Sequence, residues 1–304
     1  MEKANNYQIT NQLTDKDISL LREIRIEFSQ ELERYPECNT QWYLLRFCVA
    51  RKHNKKKVFK MLKNFFEFRD KKDFNRIRQI QNIRFNSILD HVTRGLYGVD
   101  KLGRPIIVAR PGKSDPEKVV RMNSIEFFQD FLIQSFERTL HIQFPILSGI
   151  KGERVDKTLM IADLSGLKLS VAFDSKFKKM AKNISSVGQD LYPEVLGKVI
   201  IVNAPKFIKA IWSLVSMWID SKTTAKIDVY TDAPLKVLTK YVDIEQLPTF
   251  LGGKCEREVN DNHGPWEGAI KDSFDRNSFF MRDRSLEYQY FYTEEERQNA
   301  LGRR

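Results

Sequence analysis

The sequence has few cysteines and no long apolar run. Its three cysteines, Cys38, Cys48 and Cys255, have the spacing of neither a disulfide framework nor a metal site. Residues 1–19 are polar and charged, unlike a signal peptide. The longest uncharged run in the most apolar region, residues 210–219, is far shorter than the roughly 20 residues that span a bilayer. We therefore expect a cytoplasmic protein with reduced thiols.

The motifs of common enzymes are also missing. There is no Gly-x-Ser-x-Gly nucleophile elbow, no P-loop and no dinucleotide fingerprint. The four histidines are scattered without the spacing of metal ligands. Asp163 ends a predicted buried strand, where an α/β enzyme could place a catalytic carboxylate, although capping the following turn is the commoner role. We expect no enzymatic activity, no cofactor and no metal.

Acidic residues are outnumbered, which favours anionic partners. The chain of 304 residues has 51 Lys and Arg against 40 Asp and Glu, a formal charge of +11. The excess is concentrated at residues 51–57 and 176–182, although such clusters are more often solvated helix faces or loops. No zinc finger or aromatic signature of RNA binding is present. We therefore expect no nucleic acid partner, and a negatively charged membrane remains as a candidate anionic partner.

The order of the predicted elements indicates an α/β fold. Up to about residue 90 the pattern is helical, with Asn39 and Thr40 as candidate N-caps of one helix and Asn54 as the N-cap of the next. Farther on, continuous apolar strands alternate with helices, which favours a largely parallel sheet covered on both faces. The predicted strands are 106–109, 158–163, 198–202 and 227–230, and the predicted helices are 115–141 and one from Ser170 or Asp174 to about Gly188.

Residues 207–219 are too apolar for an ordinary surface helix. Two apolar stripes lie side by side at helical spacing, and only a narrow polar strip remains on the rest of the helix surface. Such a helix is either buried over most of its surface or meets an apolar partner that is not protein. The stripes are Phe207, Ile211, Leu214 and Trp218, and Ile208, Trp212, Val215 and Ile219.

Five motifs in order resemble those of the CRAL-TRIO lipid-binding family, and most closely its yeast-type phosphatidylinositol/phosphatidylcholine transfer proteins. The first resembles the "LLRFLRARKF" helix, the second the "DKDGRPV" turn and the third "IMDLKG". The fourth is similar to "YPERMGKFYIINAP" and the last to the "LP…FGG" closure. In this sequence the motifs occupy residues 44–52, 98–105, 161–166, 192–205 and 247–253.

The resemblance implies a helical N-terminal lobe, residues 1–90, and a CRAL-TRIO domain, residues 91–255. In this domain a largely parallel sheet would floor a hydrophobic pocket that holds a phospholipid. Residues 256–304 would form a tail that packs on the body. Residues 207–219 would be the gating helix that opens at membranes, and the alternative is an ordinary helix packed on the sheet.

The resemblance also assigns a phosphatidylinositol headgroup site to Arg51, Glu194, Thr223 and Lys226. Their chemistry suits this role, because a phosphodiester at the edge of an apolar cavity needs cations and inositol hydroxyls need acceptors and donors. Two alternatives stay open. Glu194 and Lys226 could form a structural ion pair, and Thr224 lies beside Thr223.

The second-lipid region departs from the family pattern. The resemblance places Ile107, Phe136, Thr158 and Met160 where the yeast-type proteins contact phosphocholine through tyrosines, a serine and a threonine. Three of these positions have lost the hydroxyl, and a choline site depends on aromatic faces and hydroxyl donors. The identity of the second lipid therefore stays open, with a sterol or a different phospholipid as candidates.

The expected function is binding of phosphatidylinositol and its transfer between membranes, or its presentation, by a monomer that visits membranes transiently. A second lipid would be exchanged in the same pocket. The alternatives are a carrier of another hydrophobic ligand and a regulatory scaffold that does not transfer lipid. A nucleic acid binder ranks last.

Overall fold

The structure is a computed structural model that describes residues 13–74, 77, 88, 90–115, 118, 125–170, 174–208, 212, 216, 217, 219, 221–261 and 263–266. It divides into two compact units, residues 1–72 and 73–304. Among the described residues, no helix combines the length and the apolar character that crossing a membrane requires.

The N-terminal unit is helical, as predicted. Thr40 accepts a hydrogen bond from the main-chain N–H of Tyr43, so of the two candidates Asn39 and Thr40 it is Thr40 that caps the helix. Asn54 accepts a hydrogen bond from the main-chain N–H of Lys57, as predicted. Thr14 and Asp17 form a reciprocal capping box on the first helix. The helices are α1 Asp15–Glu27, α2 Ser29–Arg34, α3 Gln41–Ala50 and α4 Lys55–Lys71.

Aromatic side chains fill the centre of this unit. Phe47 and Phe65 have ring centroids 5.1 Å apart, and Phe65 packs edge-on against Phe66 at 5.2 Å. The helical spacing of the apolar residues in α4 places them on one face. Their burial supplies the main stabilisation of the unit.

The second unit contains a five-stranded sheet. The spatial order of the strands is β1-β2-β3-β4-β5, with β1 antiparallel to β2 and the other pairs parallel. The predicted α/β class with a largely parallel sheet is confirmed. The strands are β1 Arg94–Val99, β2 Pro105–Ala109, β3 Thr158–Asp163, β4 Leu196–Val202 and β5 Ile227–Val229.

The sequence interpretation missed β1, because Gly95 and Gly98 weaken its strand propensity. Tertiary contacts supply what the local sequence lacks. Tyr97 is fully buried, its hydroxyl donates to the carbonyl of Arg257 at 2.8 Å, and its backbone pairs with that of His263. Pairing and burial together therefore outweigh the local preference.

The helix predicted to end near residue 141 continues farther. A π-helical turn, residues 139–143, joins two α-helices into one run. Pro145 has no N–H, and the wider turn accommodates it without breaking the run. The start predicted at residue 115 lies largely outside the described residues. The helices of this unit are α5 Ile125–Arg138, α6 Phe144–Lys151, α7 Ser175–Ser186, α8 Ser221–Thr224 and α9 Leu235–Tyr241.

The two faces of the sheet differ in how completely they are covered. One face, which we call the core face, packs against α9 and the following segment, and side chains such as Ile161 and Ile200 have no exposed surface. On the opposite face, which we call the open face, Met160 and Ile201 are only half-buried. Both residues belong to strands with neighbours on either side. Accessible surface therefore remains on the open face at these two positions, although residues beside them such as Ile107 and Ala162 are buried.

The segment after Gly253 contributes to the core face. Val259 belongs to its core cluster, and Trp266 is fully buried. A Cβ on Gly253 would lie 2.0 Å from the carbonyl oxygen of Leu247, so only glycine fits this closing turn.

Candidate functional site

Three charged residues meet at the amino ends of three adjacent parallel strands. Lys157 precedes β3, Glu194 lies two residues before β4, and Lys226 precedes β5. The Nζ of Lys226 is 3.3 Å from Oε2 of Glu194 and donates to the carbonyl of Leu196 at 2.9 Å. Lys157 donates to the carbonyl of Glu194, and its Nζ is 3.5 Å from Oε2. We call these three residues the amino-end cluster.

The backbone of Glu194 adopts an unusual conformation within this cluster. Its φ of 59° is in the left-handed region, which costs a non-glycine residue of order 1 kcal/mol. Gly197 makes room nearby, because a Cβ there would lie 2.9 Å from the Cβ of Lys157. The fold thus holds the Glu194 carboxylate between two ammonium groups.

The carboxylate of Glu194 is charged at neutral pH. Burial raises its pKa, but the charges of Lys157 and Lys226, a hydrogen bond from Lys226 and the charge of Lys222 together outweigh burial, so the net pKa is below the ordinary value. Half-buried ammonium groups can donate to a phosphate, while the carboxylate between them can accept from hydroxyls at the same place.

Thr223 and Lys222 lie on α8, which ends two residues before Lys226 of the amino-end cluster. The main-chain N–H of Lys226 donates to the carbonyl of Thr223 at 3.0 Å, which ties the helix to the start of β5. Thr224 donates its hydroxyl to the carbonyl of Ser221 at 2.9 Å, so that proton is engaged within the helix. Thr223 therefore lies next to Lys226 at the start of β5, and its part in headgroup binding stays a prediction.

Arg51 belongs to the N-terminal unit, where it ends α3. It is half-buried, and its guanidinium donates to the carbonyl of Ala50 at 3.4 Å. Its part in headgroup binding stays a sequence-based prediction.

Of the residues assigned to the second lipid, Ile107 and Met160 form a pair on the sheet, whereas Thr158 and Phe136 lie at separate positions. Ile107 and Met160 are register partners on the open face, and Thr158 lies on the same face of β3. The Thr158 hydroxyl donates to the carbonyl of Val195 at 3.4 Å. Phe136 of α5 stacks on the ring of Tyr192, with centroids 4.7 Å apart. Ile107 and Met160 therefore give the floor an apolar surface without hydroxyl groups.

Tyr192 connects Phe136 to a buried polar group that the sequence interpretation did not identify. Its hydroxyl donates to Oε1 of Glu137 at 2.8 Å, and Oε2 of Glu137 lies 3.6 Å from Nε2 of His141. The Tyr192 hydroxyl is thereby committed to a protein partner.

The predicted gating segment begins beside the open face. Phe207 and Ile208 pack on a small cluster that also contains Ile201, Leu164 and Leu167. Ile201 connects this cluster to the open face. Trp212 and Ile219 are half-buried, while Ile211, Leu214, Val215 and Trp218 lie outside the described residues.

Asp163 has a structural environment at the opposite, carboxyl ends of the strands. It accepts from Asn203 Nδ2 at 2.8 Å, from Arg110 Nε at 2.9 Å, and from both the main chain and the hydroxyl of Ser165. Only 1% of its surface is exposed. These contacts are those of a structural tie between neighbouring strand ends. Within the described ranges, no group of three or more His, Cys, Asp or Glu is arranged to hold a metal ion.

Lys157 is the member of the amino-end cluster that the sequence interpretation missed. A usable signal exists, because Lys157 directly precedes a predicted buried strand, as Lys226 does. Adjacent parallel strands bring such residues together. The order of the strands in the sheet was needed to pair them.

Comparisons with known proteins agree with the five motifs. The family model described as CRAL/TRIO domain matches residues 89–253, more than half of the chain. The phosphatidylinositol/phosphatidylcholine transfer protein SFH14 of Arabidopsis thaliana is 34% identical over 262 residues, covering 83% of this chain and 45% of the relative. For SFH4 of the same plant the identity is 30% over 274 residues, covering 86% and 45%.

A fungal relative and a solved structure extend the comparison. The SEC14 cytosolic factor of Yarrowia lipolytica is 27% identical over 229 residues, 73% of this chain and 46% of the relative. The chain thus spans somewhat less than half the length of these curated relatives. The crystal structure of Sfh5 shares the fold, with a TM-score of 0.60 and 14% identity over 87% of this chain and 99% of that one. The resemblance inferred from the motifs is confirmed, and the chain belongs to the CRAL/TRIO domain family.

Proposed function

We propose that this protein binds phosphatidylinositol and transfers it between membranes or presents it at their surface. The acyl chains lie over the open face of the sheet, and the headgroup binds at the amino-end cluster. The protein acts as a carrier without covalent chemistry, and its relatives named as phosphatidylinositol/phosphatidylcholine transfer proteins support this assignment.

The difference between the two sheet faces carries the proposal. Met160 and Ile201 are apolar, belong to central strands and are still only half-buried, whereas their sequence neighbours Ile161 and Ile200 on the core face are completely covered. Leaving such side chains open costs about 25 cal/mol per Å² of apolar surface. An apolar ligand that covers the open face recovers this free energy.

The amino-end cluster suits the headgroup. Lys226 and Lys157 supply cations for the phosphodiester, and Glu194 accepts hydrogen bonds from inositol hydroxyls. The ion pair seen between Glu194 and Lys226 is compatible with this role, because it holds both groups in place before the ligand arrives. Arg51 and Thr223 stay in the proposed headgroup set on the strength of their motifs.

A carrier has to avoid exposing the lipid tails to water. Each methylene transferred to water costs about 0.8 kcal/mol, so a full acyl chain costs on the order of 10 kcal/mol. A gate that opens at the bilayer removes this barrier. We propose residues 207–219 as the gate, since their first residues pack on the same cluster as Ile201 of the open face.

The test is the transfer of labelled phosphatidylinositol between vesicles. Wild type and Lys240→Ala, which removes an exposed lysine of α9, are expected to transfer equally well. Lys226→Ala combined with Arg51→Ala is expected to reduce transfer at least tenfold, because charge-assisted hydrogen bonds contribute about 1.5–3 kcal/mol each. Equal rates in all three proteins would remove the assigned headgroup site.

A carrier of another hydrophobic ligand is the second candidate, favoured by the hydroxyl-free floor at Ile107 and Met160. Mass spectrometry of the lipids that copurify with the protein separates the two. Phosphatidylinositol in the extract supports the first candidate. An extract with another apolar molecule in its place supports the second, and an empty pocket would favour a scaffold role.

A further inference from the structure

Arg94 brings a positive charge to the open face of the sheet. It begins β1 and pairs in register with Ala109 of β2, which pairs with Ala162 of β3, which in turn pairs with Ile201 of β4. These residues form one row across the open face, because paired residues of neighbouring strands point to the same side. The guanidinium donates from one nitrogen to the hydroxyl of Ser135 on α5 at 3.3 Å.

Protein surrounds this guanidinium without supplying a carboxylate from the described residues. Burial lowers the pKa of Arg94 to about 10, which leaves it charged at neutral pH. Within the described part of the chain, no Asp or Glu forms an ion pair with it. The residue nevertheless retains some accessible surface. Deep burial of the charge together with retained accessible surface is what a side chain that lines a cavity shows.

Short side chains line the floor beside Arg94. Its two nearest neighbours in the row are the buried residues Ala109 and Ala162, whose side chains do not reach far above the strands. Arg138 lies three residues after Ser135 on α5, at an adjoining position of the helix surface. Burial lowers the pKa of Arg138 to about 9, so it is also charged at neutral pH.

This location is separate from the amino-end cluster. The row of Arg94 crosses β3 at Ala162, four residues beyond Thr158, where the strand begins. At about 3.3 Å per residue the separation along the strand is about 13 Å. One phosphate group cannot contact both places, so Arg94 requires a ligand group of its own.

We propose that Arg94 binds the anionic end of the second lipid of this pocket, an apolar molecule that carries one carboxylate or one phosphomonoester group. The proposal rests on the lipid pocket proposed above and adds the class of the second ligand. A buried cation without a protein anion is costly, and a bound anion offsets this cost through charge-assisted hydrogen bonds.

Equilibrium binding to the full chain tests the proposal with four radiolabelled probes. Methyl oleate is oleate with its carboxylate esterified to an uncharged group, and dioleoyl phosphatidic acid and dioleoyl phosphatidylcholine compare an anionic phosphomonoester with a zwitterionic phosphodiester. Wild type is expected to bind at least one anionic probe at least tenfold more tightly than its uncharged or zwitterionic counterpart. The pair that shows the larger ratio identifies a carboxylate or a phosphomonoester as the ligand group.

The preference has to depend on Arg94. Arg94→Gln is expected to abolish it, Arg94→Lys to keep part of it, and Ser135→Ala to weaken it less than Arg94→Gln does. Arg22→Gln removes an exposed arginine of α1 and is expected to leave the preference unchanged. The wild-type comparison needs no variant, so a folding defect in Arg94→Gln does not prevent the test. In that case Arg94→Lys and Ser135→Ala show whether the preference for the anionic probe depends on Arg94.

Two results would overturn the proposal: equal affinity of wild type for both members of each pair, or a preference that Arg94→Gln retains. Phosphatidylinositol transfer is measured on the same preparations. Transfer that persists while the anion preference is absent rejects only the Arg94 site. Wild-type protein that transfers no phosphatidylinositol rejects the proposed function, whatever the probes show.

Discussion

Lys157 holds Glu194 by two groups at once: its ammonium donates to the main-chain carbonyl and lies 3.5 Å from the carboxylate. The first contact stabilises a backbone with positive φ, and the second helps to keep the carboxylate charged. Lys157 thus acts on both the position and the charge of the proposed headgroup acceptor. This relationship leads to the first prediction.

Lys157→Met keeps the length of the side chain and removes its charge. We expect the affinity for phosphatidylinositol to fall about tenfold, because a charge-assisted contact and a cation are lost together. Lys151→Met, which changes a lysine at the end of α6, is the matched control and is expected to bind normally. Vesicle binding assays with phosphatidylinositol measure both, and unchanged affinity in Lys157→Met would exclude Lys157 from the headgroup site.

Substitutions on the two sheet faces should separate stability from ligand binding. Ile161→Ala opens a cavity in the core face and is expected to lower the free energy of unfolding by about 2–5 kcal/mol. Met160→Ala, one residue earlier, truncates a side chain that is only half-buried. It should cost less than half as much in lipid-free protein. Urea unfolding after delipidation measures both values, and similar losses would contradict an open face above β3.

Asp163 should make the protein sensitive to acid. Burial raises its pKa, but hydrogen bonds from Asn203, Ser165 and Arg110 outweigh burial and bring it below the ordinary value of 3.8. A depressed pKa in the folded state gives stabilisation that is complete above the unfolded pKa and is lost as the pH falls through the folded one. The wild-type free energy of unfolding should therefore decline below about pH 4.

Asp163→Asn removes this contribution at every pH. We expect a loss of about 1–3 kcal/mol at pH 7 and a smaller difference from wild type at pH 3. Asp243→Asn changes an exposed carboxylate and is the control for general charge effects. Urea unfolding curves at several pH values provide the measurement, and a difference that does not shrink toward pH 3 would contradict the assignment.

Met217 should contribute to membrane contact. It lies within the proposed gate and is 69% exposed. Met217→Glu places a charge where apolar contact with the bilayer is expected, so sedimentation with phosphatidylinositol-containing vesicles should fall several-fold. Ile150→Glu alters a residue of α6 that is 67% exposed and should sediment like wild type. Equal loss in both variants would indicate a general effect of charge on adhesion.

Local sequence signals predicted much of the secondary structure. Thr40 and Asn54 act as the predicted helix caps, and the strand predicted at 158–163 has the same bounds in the structure. These signals are local, because a cap needs only its own first turn and a buried strand needs a continuous apolar run. Strand β1 escaped prediction because its stability comes from β2 and from Tyr97 contacts with residues more than 150 positions away.

The sequence by itself determined the fold class, the family and three of the residues now placed near one another, Glu194, Thr223 and Lys226, because each belongs to a motif or to a short recognisable pattern. Only the tertiary structure decided that Lys157 joins them and that Arg94 faces the open side of the sheet. Both outcomes depend on strand order and register, which arise from contacts between segments distant in the chain and leave no local trace.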